Sequence, residues 1–303
     1  MRDWLFPEDE MPKVPIARKL TRLTSHISTQ RKALLVRLYL QLFVYVTHRG
    51  TYIDAFAGPQ DKEDAWAARH IWESDPGPRK NRIDRLELFE QNSASVRKLE
   101  KMVEKTAANR RAIAVASGDC NIRLPEILQL RPVKGPAFCL LDQRSTECDW
   151  QLVKTVAEHK QDPTKIEIFY FLMARWKNRS LKNISKNRHD RLLKWWGRED
   201  YGTAINLDPD QLAGLMSRRF REELGYKFAY EYPIYEPPHK GGYLQYFMIH
   251  ASDHPEATSF MNRAYNKCAG GYDPRNKQAD LIWSDDDLTK IARRLKTRNP
   301  QCG

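Results

Sequence analysis

The segment Tyr52-Ile53-Asp54-Ala55-Phe56-Ala57-Gly58 constrains the fold most, because a short apolar strand runs into an acidic residue and then a turn of small residues. That is the pattern of a first βα turn in a doubly wound sheet, where ligands sit beyond the carboxyl ends of the strands and a glycine lets backbone N–H groups approach them. A carboxylate at such a turn would repel a dinucleotide pyrophosphate. It suits a ligand carrying an ammonium group, such as S-adenosylmethionine with its amino-acid moiety and sulfonium. Taken alone, an Asp before a Gly turn is also an ordinary turn former.

Three later segments repeat the pattern. Arg85-Leu86-Glu87-Leu88-Phe89-Glu90 reads as a second strand whose terminal carboxylate can accept both hydroxyls of a ribose. Ala112 to Ala116 runs into Ser117-Gly118-Asp119-Cys120, where Asp119 can accept a hydrogen bond from an adenine amino group or simply form an Asx turn. Pro136 to Asp142 is an unbroken apolar run, the mark of a strand buried on both faces, and it delivers Asp142 to the same rim. The expected cofactor residues are therefore Asp54, Ala55, Phe56, Ala57 and Gly58 of the first turn, Glu90 and Gln91 after the second strand, and Asp119 and Cys120 after the third. Asp142 and Gln143 are the expected catalytic residues.

The intervening segments read as crossover helices at about 65–72, 93–106 and 124–130, and a fifth strand covers 165–172. Residues 227–235 and 243–250 then form an antiparallel hairpin. The expected fold is a Rossmann-like class I methyltransferase sheet, mostly parallel with a C-terminal antiparallel hairpin. A helical N-terminal extension occupies 1–48, the α/β domain 49–265 with a basic helical insertion at about 173–225, and a charged tail 266–303 with a surface helix at 285–295.

At 303 residues and 41% hydrophobic content the chain can bury a large core. No apolar run is long enough for a membrane span, and Met1-Arg2-Asp3-Trp4 lacks the layout of a signal peptide. Five cysteines without a Cys-x-x-Cys pair point to free thiols in a reducing cytoplasm, with no metal site. Cys148 lies between Glu147 and Asp149, which disfavour the thiolate needed for covalent methylation chemistry. Asp285-Asp286-Asp287, the nearest thing to a nuclease carboxylate cluster, reads as a helix start.

The net charge of +12 calls for a polyanionic partner, and its distribution says where. Between Ala174 and Arg198 nine basic residues face the single acid Asp190. Trp176, His189, Trp195 and Trp196 lie among them, and basic side chains interleaved with aromatic ones suit a surface that tracks a nucleic-acid backbone and stacks its bases. Arg175, Trp176, Lys177, Arg179, Lys182, Lys186 and Arg188 are the expected contacts. The alternative is a solvated helix whose tryptophans pack inward.

The order Tyr52-Ile53-Asp54-Ala55-Phe56-Ala57-Gly58-Pro59, the ends Phe89-Glu90 and Leu141-Asp142, Trp196-Gly197, and Phe247 to Pro255 resemble the three-Cys-motif partner proteins over about residues 19–265. The resemblance implies a class I methyltransferase fold, an S-adenosylmethionine site, and a separate three-cysteine, radical-SAM-like protein as partner. Two departures stand out. Gly58-Pro59-Gln60 replaces the family's Gly-Pro-Gly, and Asp142-Gln143-Arg144-Ser145 replaces its Asp-Pro-Phe-Gly, which is related to the Asp-Pro-Pro-Tyr turn of amino methyltransferases. Such a turn accepts hydrogen bonds from the target NH2 and stacks an aromatic ring on the base. Here only Asp142 remains, Gln143 offers a second acceptor, and Trp150 or Trp176 would have to supply the ring. Two functions follow: a methyltransferase acting on an amino group of a nucleic acid, or a methyltransferase-like module that lost activity and binds nucleic acid or a partner protein.

Overall fold

The computed structural model describes residues 27–28, 31–60, 65–73, 82–106, 112–161, 164–174, 186–236 and 242–270. A two-residue edge strand, β1 (Ile27–Ser28), precedes helix α1 (Lys32–Thr47). Then β2 (Arg49–Asp54), α2 (Ala67–Glu73), β3 (Arg82–Glu90), α3 (Ser93–Thr106), β4 (Ala112–Ser117), α4 (Cys120–Leu130), β5 (Ala137–Leu141), α5 (Trp150–Glu158) and β6 (Glu167–Met173) alternate along the chain. Among the described residues α6 (Lys186–Trp196), α7 (Tyr201–Asn206) and α8 (Pro209–Glu222) follow. After them come β7 (Phe228–Tyr235), β8 (Leu244–Ser252) and α9 (Ala257–Gly270).

The strands form one sheet in the order β1-β7-β8-β6-β5-β2-β3-β4. β2, β3, β4, β5 and β6 run parallel, while β8 inserts antiparallel between β6 and β7. This is a Rossmann-like sheet of the methyltransferase type. A dinucleotide-binding sheet, by contrast, stays parallel across that position. The strand order reverses between β2 and β5, so the crevice beyond Asp54 is the topological switch point where open α/β sheets bind ligands.

Alternation along each strand divides two cores. Phe138 and Leu140 of β5 face a layer built from α1, α2 and α9, whereas Cys139 and Leu141 face α4, α5, α6 and α8. Helix α1 is buried along most of its length, as its dense leucines required. Helix α4 begins at Cys120, earlier than expected, because the Asp119 side chain caps it by accepting from Asn121 N at 2.9 Å. The start of α8 carries a capping box between Asp208 and Gln211. The expected helix at 285–295, and the part of the lead-in before residue 27, lie outside the described residues.

Candidate functional site

Four expected residues, Asp54, Glu90, Asp119 and Asp142, fall at the carboxyl ends of β2, β3, β4 and β5, which are neighbours in the sheet. Asp54 lies 2% exposed at the end of β2, with Leu140 of β5 on one side and Leu88 of β3 on the other. Its Oδ1 accepts from Phe56 N at 3.0 Å, and its Oδ2 accepts from the Tyr52 hydroxyl at 2.9 Å. Burial pushes its carboxyl up to about 7. The two hydrogen bonds oppose that shift, and the carboxylates of Asp142 and Glu90 add to it. Asp54 therefore organises the turn from inside.

The turn itself is pinned from three directions. Ala55 N donates to Leu140 O at 3.0 Å, Ala57 N donates to Phe89 O at 2.8 Å, and Trp66 Nε1 donates to Ala57 O at 2.8 Å. Phe56 is half-buried between these anchors. Gly58 leans on the end of β3 so closely that a Cβ there would lie 1.8 Å from Glu90 Oε2. The glycine thus makes room for the Glu90 carboxylate, whose Oε1 accepts from Asn92 N at 2.6 Å. Gln91 beside it is exposed. Gln60 donates from Nε2 to Gly58 O at 3.3 Å and braces the same turn.

The third strand end is tied to the fourth. Gly118, at φ 121°, donates its N–H to Glu90 O at 3.0 Å. Asp119 Oδ1 accepts from both Asn121 N and Asn121 Nδ2 at 2.9 Å. Asn121 in turn donates to Glu147 O and accepts from Asp149 N, each at 2.8 Å, so it bridges the turns after β4 and β5. The Cys120 thiol is buried and pushed up to about 12, with burial as the largest cause. The other described cysteines, Cys139, Cys148 and Cys268, are also buried with raised pKa values, which removes Cys148 as a nucleophile.

Asp142 and Gln143 diverge. Asp142, half-buried, pairs through Oδ1 with Lys32 Nζ at the start of α1. The same ammonium lies 4.2 Å from the ring centroid of Phe171 on β6 and 4.7 Å from that of Tyr246 on β8. Gln143 is 1% exposed. Its Oε1 accepts from Cys148 N at 3.0 Å, and its buried Nε2 has no hydrogen-bond partner among the described residues. Expected beside an acceptor, it instead shapes the turn that carries Asp142, because its oxygen is needed to satisfy a buried N–H.

Trp150 is also unavailable as a stacking platform. It is 7% exposed and covered by the Arg219 guanidinium, whose carbon lies 3.8 Å from its ring centroid. Trp195 and Trp196 pack inward, at 0% and 1% exposure, which corrects the expectation that they interleave with the basic side chains. Trp195 Nε1 donates to the Tyr170 hydroxyl at 2.7 Å and Trp196 Nε1 to Asp200 Oδ1 at 2.7 Å. Arg219 is sandwiched between Trp150 and Trp196 and bonded to Glu223. The outer face of α6 keeps Lys186, Arg191 and Lys194 exposed with Arg188 half-buried, and Lys194 acts electrostatically on Asp149 at the rim. Arg175, Trp176, Lys177, Arg179 and Lys182 lie outside the described residues.

Sequence reading missed Lys32, Phe171 and Tyr246, since no local pattern links a helix-start lysine to a carboxylate 110 positions on. Among the described residues no group of three or more His, Cys, Asp or Glu side chains gathers to hold a metal ion. No helix there is long and apolar enough to cross a membrane.

No family model matches this chain, and no curated protein matches it. Several solved structures align with it, among them these two. M. jannaschii TYW2 in complex with AdoMet aligns over 69% of this chain and 71% of its own, at 12% identity and a TM-score of 0.35. Protein LPL1258 from Legionella pneumophila str. Philadelphia 1 aligns over 79% and 93%, at 10% identity and a TM-score of 0.42. Likeness at that level says nothing of ligand or activity; the methyltransferase-type fold of this chain is read from its own strand order and from the antiparallel β8.

Proposed function

We propose that this chain is an S-adenosylmethionine-dependent methyltransferase acting on an amino group of a nucleic acid. The observation that supports it most is the row of carboxylates across the switch point, with Gly58 pressed onto the carboxylate of Glu90. A ribose needs an acceptor pair at the end of the second strand and close backbone approach at the first turn, and the residues present fit that need. In this reading Glu90 accepts the ribose hydroxyls, the turn Ala55 to Gly58 holds the amino-acid end in the field of Asp54, and Gln91, Asp119 and Cys120 border the adenine.

The bound cofactor supplies an electrophilic methyl group on a sulfonium. The chain's own work is to align the acceptor nitrogen with that methyl and to exclude water. Asp142 would accept an N–H of the acceptor, orient its lone pair, and take up the proton the nitrogen loses on methylation, releasing it to solvent. The exposed basic face of α6, next to the rim through Lys194 and Asp149, supports a polyanionic acceptor. The resemblance to three-Cys-motif partner proteins adds a radical-SAM-like protein as a candidate partner.

One observation favours the second reading, a degenerate binding module: the buried Gln143 leaves the turn with a single carboxylate acceptor, already paired with Lys32. Transfer of label from methyl-labelled S-adenosylmethionine to total RNA and to genomic DNA separates the two. The enzyme reading expects incorporation that Asp142→Ala removes. Retention of nucleic acid on the protein with no incorporation, in the presence and absence of the candidate partner, supports the binding module.

A further inference from the structure

We propose that Lys32 is a specificity-determining residue. Its ammonium fills a cation site made by Asp142, Phe171 and Tyr246, so the acceptor rim admits a neutral amino group, such as the exocyclic amine of a nucleobase, and turns away protonated amines. The cation site rests on contacts within the chain; the meaning given to it as an acceptor rim rests on the methyltransferase reading above.

The geometry is that of a built ammonium site. One oxygen of Asp142 meets Nζ directly, and two aromatic faces lie within 5 Å of it, at 4.2 and 4.7 Å from their centroids. That arrangement of a carboxylate and ring faces is how proteins bind alkylammonium groups. The walls brace each other: Phe171 is fully buried in β6, and the Tyr246 ring on β8 meets it edge to face at 6.5 Å between centroids. The lysine is also placed against local preference. It is the first residue of α1, where the positive end of the helix disfavours a cation, and no acidic residue in the first turn offsets it. The contacts with Asp142 and the rings therefore outweigh a local penalty.

Electrostatics then sets the choice of acceptor. Asp142 carries one negative charge, which Lys32 balances, and its Oδ2 has no hydrogen bond among the described residues. A neutral N–H can use that oxygen without a second cation nearby. A protonated amine would have to displace Lys32 or sit beside it, at a distance where like charges repel strongly. Methyl transfer needs a free lone pair on nitrogen, so rejecting the protonated form also rejects an unreactive one.

The test uses n-butylammonium chloride as probe and 1-butanol as its neutral match, followed by calorimetry and thermal shift without cofactor. Lys32→Ala should bind the cation at least about tenfold more tightly than wild type and more tightly than it binds the alcohol. Adding Asp142→Asn to Lys32→Ala should remove that binding. With methyl-labelled cofactor and RNA, n-butylammonium should inhibit Lys32→Ala at concentrations about tenfold below those that affect wild type, a difference a merely structural ion pair would not produce. Equal binding by wild type and variant, or inhibition independent of Lys32, overturns the proposal. Failure of wild type to bind S-adenosylmethionine would overturn the methyltransferase reading while the cofactor-free titration still decides the cation site. Should Lys32→Ala not fold, wild type is reductively methylated and peptide-mapped. Lys32 should react about tenfold more slowly than the exposed Lys98 and Lys101, and equal rates overturn the proposal.

Discussion

Replacing Asp54 by Asn should stabilise the protein above neutral pH and flatten its stability profile. In the folded chain the carboxyl is raised from 3.8 to about 7, with burial as the largest cause. Between those two values the folded state holds a proton that the unfolded state has released. Stability must therefore fall as pH rises through that window. The full shift is worth about 4 kcal/mol at about 1.4 kcal/mol per unit, all of it a cost once the pH exceeds about 7. Between pH 5 and pH 8 this one group removes about 2.5 kcal/mol. The amide keeps an oxygen to accept from Phe56 N and an N–H to offer the Tyr52 hydroxyl oxygen, so most of the local hydrogen bonding survives. Urea unfolding of wild type and Asp54→Asn at a series of pH values reads the difference. The Asn variant should lose about 2.5 kcal/mol less than wild type over the interval. Parallel profiles would refute the assignment of a buried, raised carboxyl to Asp54.

Two glycine substitutions should part company. Gly58→Ala puts a methyl group on the Glu90 carboxylate, a side-chain end that can swing away, so it should leave Tm nearly unchanged while weakening S-adenosylmethionine at least tenfold by calorimetry, about 1.4 kcal/mol. Gly197→Ala, at φ 79° with the Trp150 ring 2.8 Å from the new Cβ, should cost about 3 kcal/mol in urea unfolding, because that ring is held by Arg219 and Phe220. Arg219→Ala should cost about 3 kcal/mol by the same assay, since it empties the space between Trp150 and Trp196 and leaves Glu223 with Arg198 alone. Native protein at pH 8 should show no reaction of Cys120, Cys139, Cys148 or Cys268 with a disulfide reagent until urea is added, because all four are buried with raised pKa values.

The strands of the parallel half were legible because β2, β3 and β4 carry apolar residues up to a polar stop, while β5 is an unbroken apolar run. Phe138 to Leu141 can only be a strand covered on both faces, and Asp142 is simply where the apolar run ends. The same local logic located Asp54 and Glu90. It failed where side chains meet across the chain. Gln143 and Asp142 are adjacent in sequence, yet one turns inward to satisfy Cys148 N and the other meets a lysine on α1. Trp195 and Trp196 carry basic neighbours in sequence, but a helix separates its faces, so the charges stay outside while the indoles join the core. Gly197, at positive φ just past α6, was the available signal that the pair closes a helix against Trp150. Strand β1 escaped notice because two residues at a sheet edge leave no periodic pattern.

Calorimetric titration of the full chain with S-adenosylmethionine, near pH 6.5 and in two buffers of different ionisation enthalpy, tests the proposed site most directly. Binding in the micromolar range, about −8 kcal/mol, is expected. It should release protons, because a cation brought near Asp54 favours its ionised form, and Glu90→Ala should abolish it. Absence of heat up to about millimolar ligand, weaker than about −4 kcal/mol, would contradict the cofactor site at the ends of β2, β3 and β4.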